Sequence, residues 1–255
     1  MEQLETLERE YPQNDERSDA AQAAGWQLQL LGTWNLQLDG RHVRVPRSAQ
    51  RLITALVLLD ARPRAYLSGL LWPDSSDEQA AGNLRNCVWR ISHDFPGLLS
   101  ASKDPLMLSP GVRVDTRLLA ASLDADGAFP RPPYAKETIE VLGRAELLPG
   151  WYDDWVMHSQ ERIRELRISA LERMAELSLE AGQVATAIDA SLAAVAADPL
   201  RESAHRLLIQ SHLAAGNRAS AHRVYGKLQS RLNDELGIPP SPELESLILA
   251  PQPPA

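Results

Sequence analysis

The chain aligns with itself at an offset of 34 residues, and that period constrains its fold more than any other feature. Ala170 falls on Ala204, Leu179 on Leu213, Ala181-Gly182 on Ala215-Gly216, and Ala187 on Ala221. A repeat of this length without strand signals describes a helix, a glycine-terminated turn and a second helix, with small residues letting the two pack closely. Each pair leaves an apolar face that a neighbour must cover, so two copies need additional helices. Lys136 to Ala145, Trp155 to Glu165 and Pro242 to Leu249 carry suitable helical patterns. Ser241-Pro242-Glu243 opens the last of these with a capping serine and a proline at the first helical position.

The first half reads differently. Trp26 to Leu31, Thr33 to Leu38 and His42 to Val45 alternate apolar and polar residues, and Asp39-Gly40 is a hairpin turn between the last two. Ser48 is placed to cap a helix burying Leu52, Ile53, Leu56 and Leu59, which runs to about Asp60 before Pro63 stops it. A short helical turn is expected around Ser68 to Leu71. Beyond the loop Trp72 to Ser76, a longer helix spans Asp77 to about Phe95 and ends at Pro96-Gly97. Leu98 to Ser100 and Leu106 to Ser109 then read as a hairpin. Strands, three helices and a closing hairpin are the order of a winged helix-turn-helix. From Thr116 onward helical periodicity takes over, so the sequence predicts a mostly α chain in three parts. Residues 1–25 are a disordered acidic tail without assigned function. Residues 26–115 form a small β-containing winged helix-turn-helix domain. Residues 116–250 form an all-α helical domain with tetratricopeptide-like (TPR-like) repeats, 34 being the period of that helix pair.

Composition narrows the function. No apolar run approaches the ~20 residues of a membrane span, and the N-terminus is acidic, so a soluble, cytoplasmic protein with no membrane partner is expected. The lone Cys87 excludes an internal disulfide, and with no second thiol or close histidine pair no metal site is expected. The sequence has no Gly-x-x-x-x-Gly-Lys phosphate loop and no Gly-x-Ser-x-Gly elbow, so neither a nucleotide, another cofactor nor an enzymatic activity is expected. The net charge of -8 is unevenly spread. Residues 41–117 hold eleven Arg or Lys against seven Asp or Glu, a local balance of +4, which leaves -12 for the remainder. That asymmetry suits a DNA-binding module joined to an acidic, partner-binding one.

The helix from Asp77 sharpens this reading. One side gathers Leu84, Cys87, Val88, Ile91 and Phe95, and the other gathers Asn83, Asn86, Trp89, Arg90 and His93. Asn pairs with adenine and Arg with guanine in the major groove, while Arg85 at the edge of this face suits a phosphate. Arg47 and Arg51 on the first helix are phosphate candidates, and Lys103 and Arg113 near the hairpin are placed for backbone or minor groove. The alternative for each is ordinary surface charge on a solvated face. Trp89 needs cover, from DNA, from a protein partner or from the wing. Cys87 packs inward as a small apolar group.

These residues resemble the Streptomyces antibiotic regulatory proteins and their relatives with a bacterial transcriptional activation domain. Three segments carry the resemblance: LQLLGTWNLQLDGRHV, LLWPDSSDEQAAGNLRNCVWRIS, and ADPLRESAHRLLIQSHLAAGNRASAHRVYGKLQSRLNDELGIPPSPEL. It extends over nearly everything after residue 26, and DPLRE, AAGNRASA and DELGIPPSPEL are its most specific parts. It implies an OmpR-like winged helix with base-reading positions at Asn83, Asn86 and Arg90, and with Trp89 and His93 near phosphate. Trp89, Ser92 and His93 depart from a more basic family pattern. It also implies a transcription activator that binds tandem repeats in promoter DNA as paired protomers. RNA polymerase subunits such as sigma would be contacted through the loop Trp72 to Asp77, with Trp72, Asp74 and Asp77 as candidates, and the target would be a biosynthetic, secondary-metabolite gene cluster. The LLPGWYDDWV segment, Leu147 to Val156, resembles another element of that domain and reads as an aromatic staple. A TPR-type protein-binding scaffold and a ligand-gated repressor remain the competing functions.

Overall fold

In the computed structural model, the structure describes residues 25–117, 119 and 131–249. The expected tail, residues 1–25, lies outside them except for Gly25, and so do residues 118, 120–130 and 250 of the expected helical domain. The chain divides into two compact units between Leu118 and Leu119.

The first unit opens with strands β1 (Trp26–Gln29), β2 (Asn35–Leu38) and β3 (Arg41–Val43). β1 and β2 are antiparallel with Leu28 opposite Leu36, and β2 meets β3 with Leu38 opposite Arg41. Only Asp39 and Gly40 lie between β2 and β3, and both have positive φ, 50° and 78°. Two successive left-handed residues match the twist of a tight hairpin, and Asp and Gly are among the few residues that tolerate them.

Helix α1 (Arg47–Leu58) follows, then α2 (Arg64–Leu71) and α3 (Asp77–Asp94). Ser48 does not cap α1, because Pro46 is the N-cap residue and no side chain bonds there. Pro63 likewise begins a helix rather than merely ending one: its extended backbone (φ -59°, ψ 147°) makes it the N-cap of α2, an eight-residue helix where a single turn was expected. Leu52, Ile53 and Leu56 of α1, Leu67 and Leu71 of α2, and Leu84 and Ile91 of α3 are buried almost completely. Burying each such side chain stabilises the fold by about 1.5–3 kcal/mol.

The closing hairpin is minimal. Leu99 bridges Leu108, and Leu106 exchanges backbone bonds with Arg62 at the foot of α2. The next segment supplies a strand the alternation did not signal. β4 (Arg113–Val114) joins the sheet in parallel beside β1, giving the order β3-β2-β1-β4. Asp115 secures this join. Its carboxylate accepts the backbone N–H groups of Leu30, Leu31 and Thr116 at 2.8–3.0 Å. Burial pushes that carboxyl above its ordinary value, opposed by those donors.

The second unit is helical: α4 (Lys136–Arg144), α5 (Asp154–Glu180), α6 (Val184–Ala197), α7 (Glu202–Ala214), α8 (Arg218–Leu236) and α9 (Pro242–Leu249). The segment Trp155 to Glu165 is no separate covering helix, since it forms the first turns of the 27-residue α5. The pairs α5–α6 and α7–α8 repeat their turn atom for atom. Gly182 donates to Leu179 and Gly216 to Leu213, Gln183 to Ser178 and Asn217 to His212, and both glycines sit at φ 71°. Ala170, Ala187, Ala204 and Ala221 are all buried at the helix contacts.

The DPLRE segment holds this unit together. Arg201 makes paired bonds to the Glu172 carboxylate at 3.0 and 3.1 Å and a third to Glu165 at 2.7 Å. Asp198 meets Arg164 at 3.2 Å, and Glu202 accepts the Ser241 N–H at 2.8 Å, tying α7 to the start of α9. Arg167, buried on α5, donates to the carbonyls of Leu142 and Gly143 at the end of α4, where helix carbonyls lack partners of their own.

Candidate nucleic-acid interface

Helix α3 is fixed at both ends. At its start the Ser76 hydroxyl accepts the Gln79 N–H at 3.4 Å, and Asp77 and Glu78 sit in the first turn, where negative charge suits the helix dipole. At its end the Phe95 N–H returns to Ile91, and Leu98 bonds back to Phe95. Trp26 of β1 then grips this end: its indole N–H donates to the Pro96 carbonyl at 3.1 Å, and its ring meets Phe95 edge-on with centroids 6.2 Å apart.

The inward face of α3 consists of Ala80, Leu84, Cys87 and Ile91. Cys87 is a buried free thiol beside the Ser48 hydroxyl, and burial raises its pKa. Ser48 therefore serves the α1–α3 contact instead of a cap. Val88 is half-buried and Phe95 buried on the same side.

The opposite face is open. Asn83, Asn86, Trp89, Arg90 and His93 are all exposed, at spacings of three and four that keep them neighbours on one helix surface. Asn83 to Arg90 covers about 10 Å of helix axis at 1.5 Å per residue, the length of about three base pairs at 3.4 Å each. Trp89, 67% exposed, stacks on His93 with ring centroids 5.2 Å apart and planes 5° from parallel. Gly82, which the sequence reading passed over, falls one helical repeat before Trp89 on the same stripe. Nothing lies within 4 Å of a side-chain carbon added there except Arg85, so α3 offers bare backbone where another helix would carry bulk.

The flanking candidates separate. Arg85 is exposed at the edge of the face, Arg47 is exposed in the first turn of α1, and Arg113 is exposed on β4. Lys103 is exposed in the hairpin loop, whose backbone is held to α2 by Arg64: the guanidinium donates to the Lys103 carbonyl and the N–H to Asp104. Arg51 is the exception, being half-buried with its guanidinium bonded to the Leu71 carbonyl at 2.7 Å. It ties α1 to the end of α2. Trp72 is half-buried as the C-cap residue of α2, whereas Asp74 and Asp77 are exposed in and after the following turn. Also unforeseen is Arg62, which lies over the exposed Tyr66 ring at 5.8 Å. Its signal was an Arg four residues before a Tyr across Pro63.

Among the described residues no cluster of His, Cys, Asp or Glu could hold a metal ion, and no helix is long and apolar enough to cross a membrane.

Residues 142–250 match the family model described as the bacterial transcriptional activator domain. The regulatory protein AfsR of Streptomyces coelicolor is 28% identical over 250 residues, covering 93% of this chain and 25% of that protein. AfsR of Streptomyces griseus is 30% identical over 209 residues, 77% of this chain and 21% of that one. The chain thus spans a quarter or less of these two relatives. The transcriptional regulatory protein MoaR1 of Mycobacterium tuberculosis is 23% identical over 251 residues, covering 90% of this chain and 80% of MoaR1. In fold, the chain matches Mycobacterium tuberculosis EmbR, solved in complex with a low affinity phosphopeptide. The TM-score is 0.63 at 20% identity, over 88% of this chain and 64% of EmbR.

Proposed function

We propose that the chain is a transcriptional regulator of the Streptomyces antibiotic regulatory type, as its likeness to the bacterial transcriptional activator domain and to AfsR supports, and that the exposed face of α3 reads base edges in the major groove of promoter DNA. One observation carries this reading: Asn83, Asn86 and Arg90 stand exposed on one side of a helix whose other side is anchored by Ala80, Leu84, Cys87 and Ile91. Asn and Arg have the donor and acceptor geometry for adenine and guanine, and a rigid helix holds them in register. Arg47, Arg85, Lys103 and Arg113 contribute sequence-independent phosphate contacts around this face. Arg51 contributes through the α1–α2 joint.

The helical unit, with its two equivalent helix pairs of TPR type, serves as the protein-binding half. The loop Trp72 to Asp77, with Asp74 and Asp77 exposed, supplies a contact to RNA polymerase. The regulator acts as an activator in the cytoplasm, at the nucleoid, with paired protomers on direct repeats upstream of biosynthetic genes.

The test is recovery of genomic fragments by the chain, footprinted at two salt concentrations, with wild type beside the double variant Asn86→Ala, Arg90→Ala. Site preference in the wild type and its loss in the variant support the reading. No preference, or preference kept by the variant, overturns it. Transcription with purified polymerase on the recovered promoter separates activation from repression by its direction.

A further inference from the structure

Trp89 is the residue for which the reading face gives no polar role, and its geometry gives it another. The indole lies parallel to the imidazole of His93 in an offset stack, so one ring face is backed in part, with two-thirds of the residue still open to solvent. A large exposed aromatic surface on a helix normally finds apolar cover. Inside a duplex the faces of the bases are covered by their stacking neighbours. The major groove therefore presents polar edges and one apolar group, the C5 methyl of thymine.

We propose that Trp89 reads a thymine methyl group in the operator, next to the bases met by Asn86 and Arg90. The contact rests on the DNA-reading role of α3 and assigns that face an apolar specificity element. Three observations support it. Trp89 precedes Arg90 and lies one turn beyond Asn86, so it reaches the groove where they do. Gly82 leaves the stripe before it without a side chain, so the helix can sit deep enough for the ring edge to meet a methyl. The stack on His93 fixes the ring in advance, which spares ordering it on binding. His93 then acts as a positioning residue.

The experiment uses the full chain and the duplex it selects from a random-sequence library. Each thymine of that duplex is replaced in turn by deoxyuridine, which keeps the pairing edge and removes only the methyl. One replacement is expected to weaken wild-type binding about three- to five-fold, the effect of one buried methyl. The same replacement should leave Trp89→Ala binding unchanged and keep a reduced effect in Trp89→Phe. His93→Ala, which removes the stacking partner, should shrink the penalty without abolishing selection. A selected site with no thymine sensitivity overturns the contact while leaving the reading face intact. So does an unaltered penalty in Trp89→Ala, or a selected site without thymine. A chain that selects no sequence overturns both.

Discussion

The indole N–H of Trp26 donates to the carbonyl of Pro96, 70 residues further along the chain, at 3.1 Å. The first strand of the sheet thereby holds the end of the helix that carries the proposed reading face. Trp26→Ala removes this bond and the edge contact to Phe95. It should cost about 3–5 kcal/mol, as aromatic-to-alanine changes in cores do. Trp26→Phe keeps a ring and should lose only about 1 kcal/mol, the net worth of a hydrogen bond. Denaturant unfolding of the two variants checks both values.

Specific and non-specific contacts should separate under salt. Asn86→Ala is expected to cost about 1–3 kcal/mol on the preferred site and to relax preference at one position. Lys103→Ala should weaken binding to all sequences alike and reduce the slope of log K against log salt by about one. Binding measured between about 50 and 200 mM salt distinguishes them.

The two helix pairs should respond to the same injury alike. Gly182 and Gly216 both lie at φ 71° with open space where a side chain would point. An alanine at either place therefore meets backbone strain and no clash, costing about 1–2 kcal/mol. Thermal or denaturant unfolding of Gly182→Ala and Gly216→Ala should give matching losses. Unequal losses would show that the shared hydrogen bonds do not make the turns energetically equivalent.

Arg201 is expected to be a large single contributor to the helical unit. Its Glu172 partner keeps only 14% of its side-chain surface exposed, so Arg201→Ala leaves a largely enclosed carboxylate without its cation. The expected loss is about 1–3 kcal/mol. Arg201→Lys should recover only part, because an ammonium cannot make the paired bond to Glu172.

Acidification should weaken the same unit. His205 is buried on α7, with Nδ1 at 3.0 Å from the Arg201 carbonyl. Burial lowers its pKa, and Arg231 adds to this, while the Arg201 carbonyl, Asp198 and Glu202 oppose. The unfolded chain therefore takes up this proton at higher pH than the folded one. Stability from this group is complete above the ordinary imidazole value of about 6.5 and falls as pH drops through and below it. His212, also lowered by burial, acts in the same sense. Unfolding midpoints should fall between neutral pH and pH ~5, and fall less in a His205→Gln, His212→Gln double variant.

What could be read from sequence depended on whether a feature repeats or is local. The Asp39-Gly40 turn, the start of α3 at Asp77 and the start of α9 at Pro242 are decided by one or two residues with strong preferences, and each stands where the residues put it. The 34-residue offset exposed the equivalent turns because it occurs twice. β4 escaped notice because two residues carry no alternation, and its pairing with β1 is non-local. Ser48 looked like a cap by type, yet Pro46 took that position and the hydroxyl turned to Cys87. DPLRE stood out as a motif, but its role as a structural clasp depends on partners 29 to 39 residues away in the chain, at Arg164, Glu165, Glu172 and Ser241. On the exposed face of α3, periodicity was enough to gather Asn83, Asn86, Trp89, Arg90 and His93, whereas the parallel stack of two rings and the bond that commits Arg51 to Leu71 depend on side-chain orientation.

The burial of Cys87 gives the molecule a built-in clock. It is the one cysteine of the chain, and it faces α1 from the middle of α3. A thiol reagent can reach it only when these two helices part, so its labelling rate counts those openings. A duplex that grips α3 should slow the count, and denaturant should quicken it.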